Sequence, residues 1–131
     1  MTRRRLAVWA AVLACLMGVA ACGGSSHGDT REQALRARLA QIGKARISCK
    51  DDQCTVIVAS PLHSNYEGFL LSVPVFVGLT EDRALADVKR VTLTLNDDAS
   101  GQVFSITCAA GDLHGAPTPA SLQRQCHSIY L

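Results

Sequence analysis

The sequence is short of aromatic side chains, with three Phe, two Tyr and one Trp in 131 residues. A hydrophobic core must therefore be assembled mainly from Leu, Val and Ile. Metal-gripping spacings are missing too: six Cys and four His contain no C-x-x-C, H-x-x-x-H or H-E-x-x-H. No phosphate-binding glycine loop is present, and no nucleophile elbow is set between a strand and a helix. These gaps leave no catalytic residue, metal ligand or cofactor to assign. There is no internal repeat, and the length suits one domain.

What is present begins at the amino end. Arg3, Arg4 and Arg5 precede an uninterrupted apolar run of 16 residues, Leu6 to Ala21, which gives way abruptly to CGGSSHGD. A positive start, an apolar stretch and a small-residue boundary describe a secretory signal. The run is shorter than the roughly 20 residues of a spanning helix. Val19-Ala20-Ala21-Cys22 resembles the lipobox of bacterial lipoprotein precursors. The resemblance implies removal of residues 1–21, a diacylglyceryl thioether on Cys22, and Cys22 as the new amino terminus. Val12-Leu13-Ala14-Cys15 is a rival match, but it would strand the apolar LMGVAA on the mature chain. Thr2-Arg3-Arg4-Arg5-Leu6 also resembles the start of a twin-arginine signal, so the export route stays open.

This boundary changes the charge and cysteine arithmetic. The whole chain has 13 Lys+Arg against 11 Asp+Glu; without the three leading arginines, 13 − 3 leaves 10 against 11. A near-neutral domain has no electrostatic case for nucleic acid. Cys15 leaves with the signal and Cys22 is lipidated, so Cys49, Cys54, Cys108 and Cys126 remain. An even number of cysteines in an oxidising compartment predicts disulfides.

Along the mature chain, residues 22–29 read as a flexible tether and 30–131 as an extracytoplasmic domain. Thr30 and Gln33 fit a capping box opening a helix, with Leu35, Leu39 and Ile42 on its apolar stripe and Arg31, Arg36 and Arg38 facing away. Residues 45–50 and 54–60 read as a hairpin about a turn at 50–53. Cys49 and Cys54 then face each other at a distance a disulfide can bridge, which leaves Cys108 to pair with Cys126. Residues 60–68 read as a loop, and Thr80 as the cap of a short helix over 81–88. A second hairpin over 88–95 and 102–108 turns at NDDASG. Thr118-Pro119 opens a terminal helix that puts Leu122, Cys126, Ile129 and Tyr130 on one face. The fold expected is a small α+β domain: two hairpins in a mostly antiparallel sheet of four or five strands, flanked by an amino-terminal helix and a short carboxy-terminal one.

NDDASG has some features of a calcium loop, but the twelfth position is Thr107 where a bidentate Glu is needed, and the flanks read as strands. Cys49 and Cys54 lack the C-x-x-C spacing of a redox pair. The most apolar stretch, FLLSVPVFVGL over 69–79, reads as a strand with Phe69, Leu71, Val73, Val75, Val77 and Leu79 on one face and Leu70 and Phe76 on the other. It reads first as a core strand; Pro74 points to the alternative, an edge that offers an apolar binding face or groove to a partner strand or a lipid. The function expected is that of a membrane-anchored, non-enzymatic interaction or accessory module with a protein partner in the cell envelope. The alternatives are a carrier or sensor of a small apolar ligand, and a hydrolase without a recognisable motif.

Overall fold

The computed structural model describes residues 27–131. The export signal, the rival boundary at Cys15 and the lipidated Cys22 lie outside the described residues.

Five strands form one sheet whose spatial order follows the chain: β1 (Ala45–Lys50), β2 (Gln53–Ala59), β3 (Arg90–Asn96), β4 (Val103–Ala109) and β5 (His127–Tyr130). All neighbouring pairs are antiparallel except β2–β3, which is parallel. A parallel pair needs a crossover. It is supplied by helix α2 (Asn65–Glu81), which with α1 (His27–Leu39) and α3 (Pro119–Gln125) covers one face of the sheet.

The period of two in each strand decides which side is covered. Val56, Val58, Val91, Leu93, Leu95, Phe104 and Ile106 point under the helices and are fully buried. Leu35 and Leu39 of α1, Phe69, Val75 and Phe76 of α2 and Leu122 of α3 meet them in a single core. Ile42 packs against its edge from just beyond the end of α1.

Both disulfides join the predicted partners, Cys49 to Cys54 and Cys108 to Cys126. Cys49, Cys54, Val91 and Cys108 are opposed along one rung of the sheet. Cys126 extends that rung, one step beyond the Thr107–His127 pair. The two covalent links thus clamp opposite edges of the sheet at the same level. The β1–β2 turn needs only Asp51 and Asp52, with Asp51 in the left-handed region (φ 57°) that Asp tolerates.

Several expectations are corrected. The segment 69–79 is not an edge strand but the body of α2, and residues 65–68 of the expected loop form its first turn. Ser64 starts the helix by accepting the Glu67 N–H at 3.1 Å. Period-two reading failed because this segment is apolar on every side, where periodicity does not separate helix from strand. Pro74 is tolerated because it and Leu70, whose carbonyl loses its N–H partner, both lie on the exposed side of α2. The helix continues through Thr80, so only a short 3₁₀ turn, Arg83–Leu85, follows it, capped by Asp82.

At the carboxy end, α3 stops at Gln125 and the chain turns into β5. Cys126 is bound to Cys108, and beyond it the backbone pairs with β4 from His127 to Tyr130. The predicted helical face of Leu122, Cys126, Ile129 and Tyr130 is therefore split between two elements. At the amino end, α1 begins at His27, so residues 27–29 of the expected tether are helical and Thr30 lies inside the helix. Arg31 does not face away. It is 6% exposed, donates to the Asp51 carbonyl and lies 4.0 Å from the Asp87 carboxylate.

Candidate functional site

The helices leave the second sheet face uncovered. Alternation along the strands places Arg46, Ser48 and Lys50 of β1 there, beside Thr55 and Ile57 of β2. Arg90, Thr92 and Thr94 of β3, Ser105 and Thr107 of β4, and His127 of β5 complete it. Register puts Ser48, Thr55, Thr92, Thr107 and His127 on one rung, and Arg46, Ile57, Thr94, Ser105 and Ile129 on the next. The hydroxyls bond across strands: Thr92 Oγ1 lies 3.0 Å from Thr107 Oγ1, and Thr94 Oγ1 3.1 Å from Ser105 Oγ. Arg46, Lys50 and Arg90 are exposed on this face, and no outward strand position from β1 to β5 carries a carboxylate. Lys89 and Asp52, at the rim, form an exposed pair at 3.9 Å. The result is a surface of hydroxyls with cations at its strand positions and carboxylates only at its rim, where Asp98 shares a hollow with Arg46, and Asp51 and Asp52 share one with Lys50.

The residues expected to form an apolar binding face are distributed around α2. Phe69, Val75 and Phe76 are 2%, 0% and 0% exposed, inside the packed core. Phe69 meets Phe104 edge to face with ring centroids 5.0 Å apart. Leu71 and Val73 pack partly against the core, and Val77 is half-buried. No single surface unites the six.

The outer side of α2 exposes different residues. Tyr66 is 63% exposed and Leu70 50%, and Pro74 is exposed beside them. A shallow groove of about 480 Å³ runs between this side and the end of α1, bordered by Ala37, Arg38, Ile42, Leu70, Leu71 and Pro74.

The NDDASG hairpin uses its carboxylate internally. Asp97, 9% exposed, accepts backbone N–H bonds from Leu62 and Ala99 at 3.0 Å each and from Ser100 at 3.3 Å. The Leu62 N–H, then the other donors, hold its carboxyl below the ordinary value of 3.8. Gly101 closes the turn at φ 76°, a conformation glycine adopts without strain. Asp97 thereby ties the loop leading to α2 to the β3–β4 hairpin, the role of a turn residue.

His63 and His114 are exposed in loops, and His127 lies on the open sheet face. Among the described residues, no three His, Cys, Asp or Glu side chains gather where they could hold a metal ion. Among the described residues, no helix is long and apolar enough to cross a membrane.

Sequence reasoning assigned the correct outward positions to Arg90, Thr92 and Thr94, but did not single out the open face as a site. The available signal was alternation in two strands at once, with Arg46 and Lys50 on one and Arg90 on the other. Tyr66 went unnoticed, and Leu70 was grouped with Phe76, because the side that Tyr66 and Leu70 share appears only at helical spacing. No family model, curated protein or solved structure matches the chain.

Proposed function

We propose that this chain is a bacterial lipoprotein whose domain is a non-enzymatic interaction module of the cell envelope. Residues 1–21 direct export, Cys22 carries lipid on the extracytoplasmic face of a membrane, and the open sheet face receives an acidic protein partner. The observation that carries the partner is the asymmetry of the sheet: one face is sealed by three helices, the other offers Arg46, Lys50 and Arg90 with no carboxylate among its outward strand positions. Charge complementarity of this kind steers encounter and selects partners. The two disulfides support an oxidising compartment. The burial of Phe69, Val75 and Phe76 in a filled core favours a partner over the carrier reading, which needs those side chains to line a deep pocket.

Two measurements test this reading. The intact mass of membrane-extracted protein is expected to show lipid on Cys22, and Cys22→Ala is expected to block maturation or release the protein from membranes. Unchanged retention removes the anchor. Crosslinking in native membranes is expected to give a protein adduct that Arg46→Glu with Arg90→Glu abolishes. An adduct indifferent to that charge reversal removes the open face as the binding surface.

A further inference from the structure

The helix layer carries a second surface, apart from the open sheet face. From Gly68 to Thr80, α2 has no charged side chain; Glu67 and Glu81 stand at its two ends. A helix with one side in a core ordinarily turns a polar side to water. Here Tyr66, Leu70 and Pro74, at i, i+4 and i+8, expose an apolar stripe away from the buried one, with half-buried Val73 and Val77 along its margin. Tyr66 and Leu70 are more than half or half exposed, at 63% and 50%. Arg38 borders the adjoining groove, and among the described residues no carboxylate does.

We propose that this stripe seats the domain on a lipid bilayer, as a second and weaker contact beside the lipid on Cys22. The proposal rests on the lipoprotein reading. Only four residues, five Cα steps, separate Cys22 from His27, the first residue of α1. However they are arranged, they reach at most about 18 Å. Helix α1 packs beside α2 in one layer, and a helix with its side chains is about 10 Å across. The outer side of α2 therefore lies within tether range of the headgroups, while the open sheet face lies on the opposite side of the molecule.

Such a short tether holds the stripe at a millimolar or higher effective concentration at the surface. A contact too weak to bind free protein is then well populated, whereas a second copy would have to reach the stripe by diffusion. Tyr66 has the apolar body and polar tip suited to an interface, and Arg38 supplies the cation that phosphate headgroups favour. Seating α2 on lipid turns Arg46, Lys50 and Arg90 outward, toward a partner.

The test uses the mature lipidated protein in phosphatidylethanolamine–phosphatidylglycerol vesicles. The chain's single tryptophan is Trp9, within the segment removed at Cys22, so an introduced one reports alone. Leu70→Trp is expected to lose about half its emission when the acyl chains are brominated, since interfacial helices bury their apolar face about 5–10 Å deep. Thr55→Trp, on the open sheet face, is expected to emit equally in both lipids. Adding Leu70→Glu to Tyr66→Trp is expected to cancel the bromine quenching that Tyr66→Trp alone shows.

Flotation with the vesicles separates the two readings. Protein that floats while Leu70→Trp ignores bromine overturns the docking and leaves the anchor. A Leu70→Trp emission shifted to the blue without bromine quenching overturns it in favour of a second copy. Quenching of Thr55→Trp in place of Leu70→Trp overturns it in favour of the sheet face. Protein that does not float overturns anchor and docking together.

Discussion

The two faces of this sheet are built from the same strands and behave as different materials. Val91, Leu93 and Leu95 alternate with Arg90, Thr92 and Thr94 along β3. The first set is fully buried under helices, and the second lies on the open side. On the covered side, each side chain contributes by leaving water and by filling space to near-crystalline density. On the open side, hydroxyls bond one another across strands while water competes for the same bonds, so each pair contributes little to stability. Substitutions on the covered face should therefore be read in folding, and those on the open face in binding.

The largest expected effect tests that division directly. Phe104→Ala should destabilise the domain by about 4 kcal/mol, because it empties the site that both Phe69 and Gly68 pack against. Thr94→Val, on the opposite face of the neighbouring strand, should change stability by less than about 1 kcal/mol. Urea unfolding of both variants checks the pair; similar losses would break the comparison.

The disulfides come next, because their rung lies on the covered face at both edges. In the chain-entropy account, the link across a separation of 18 residues contributes about 3 kcal/mol and the link across 5 about 2. Replacing Cys108 and Cys126 together by Ala should thus lower the unfolding midpoint further than replacing Cys49 and Cys54. The reverse order would show that the β1–β2 edge governs unfolding.

Charge reversal on the open face should be nearly silent in stability. Arg46→Glu with Arg90→Glu is expected to stay within about 0.5 kcal/mol of the parent in the same assay, as exposed substitutions do. A larger loss would mean that these arginines support the fold, and crosslinking lost with them would no longer isolate binding.

The subtlest expectation concerns Asp97, which links the loop at Leu62 to the β3–β4 hairpin. Its carboxyl titrates below 3.8 in the folded protein. A depressed folded value contributes stability that is fully present above the unfolded value and is lost as pH falls through the folded one. Asp97→Asn should flatten the acid limb of the stability profile below pH 3.8, with the parent losing stability more steeply. Parallel acid limbs would show that the Leu62 and Ala99 bonds do not favour the charged form.

Much of this architecture is legible in the residues. Two stretches with a period of two, each broken by a polar turn, specify the hairpins. Facing positions on the first pair Cys49 with Cys54, and elimination pairs Cys108 with Cys126. The two largest misreadings have different causes. Residues 69–79 are apolar all round, so nothing local separates a strand from a helix with one side in the core and the other exposed. His127–Tyr130 is a strand because β4 offers it an edge and a disulfide delivers it there.

The sequence by itself determined the hairpins, the cysteine partners and the outward placing of Arg90, Thr92 and Thr94, because each depends on spacing along a few neighbouring residues. Tertiary structure alone decided that 69–79 crosses over as a helix, that both disulfides fall on one rung, and that the three α-helices of the described residues take the same side. Those outcomes depend on which surfaces remain to be covered once β2 and β3 pair in parallel. That pairing joins segments separated by an entire helix, and no local pattern encodes it.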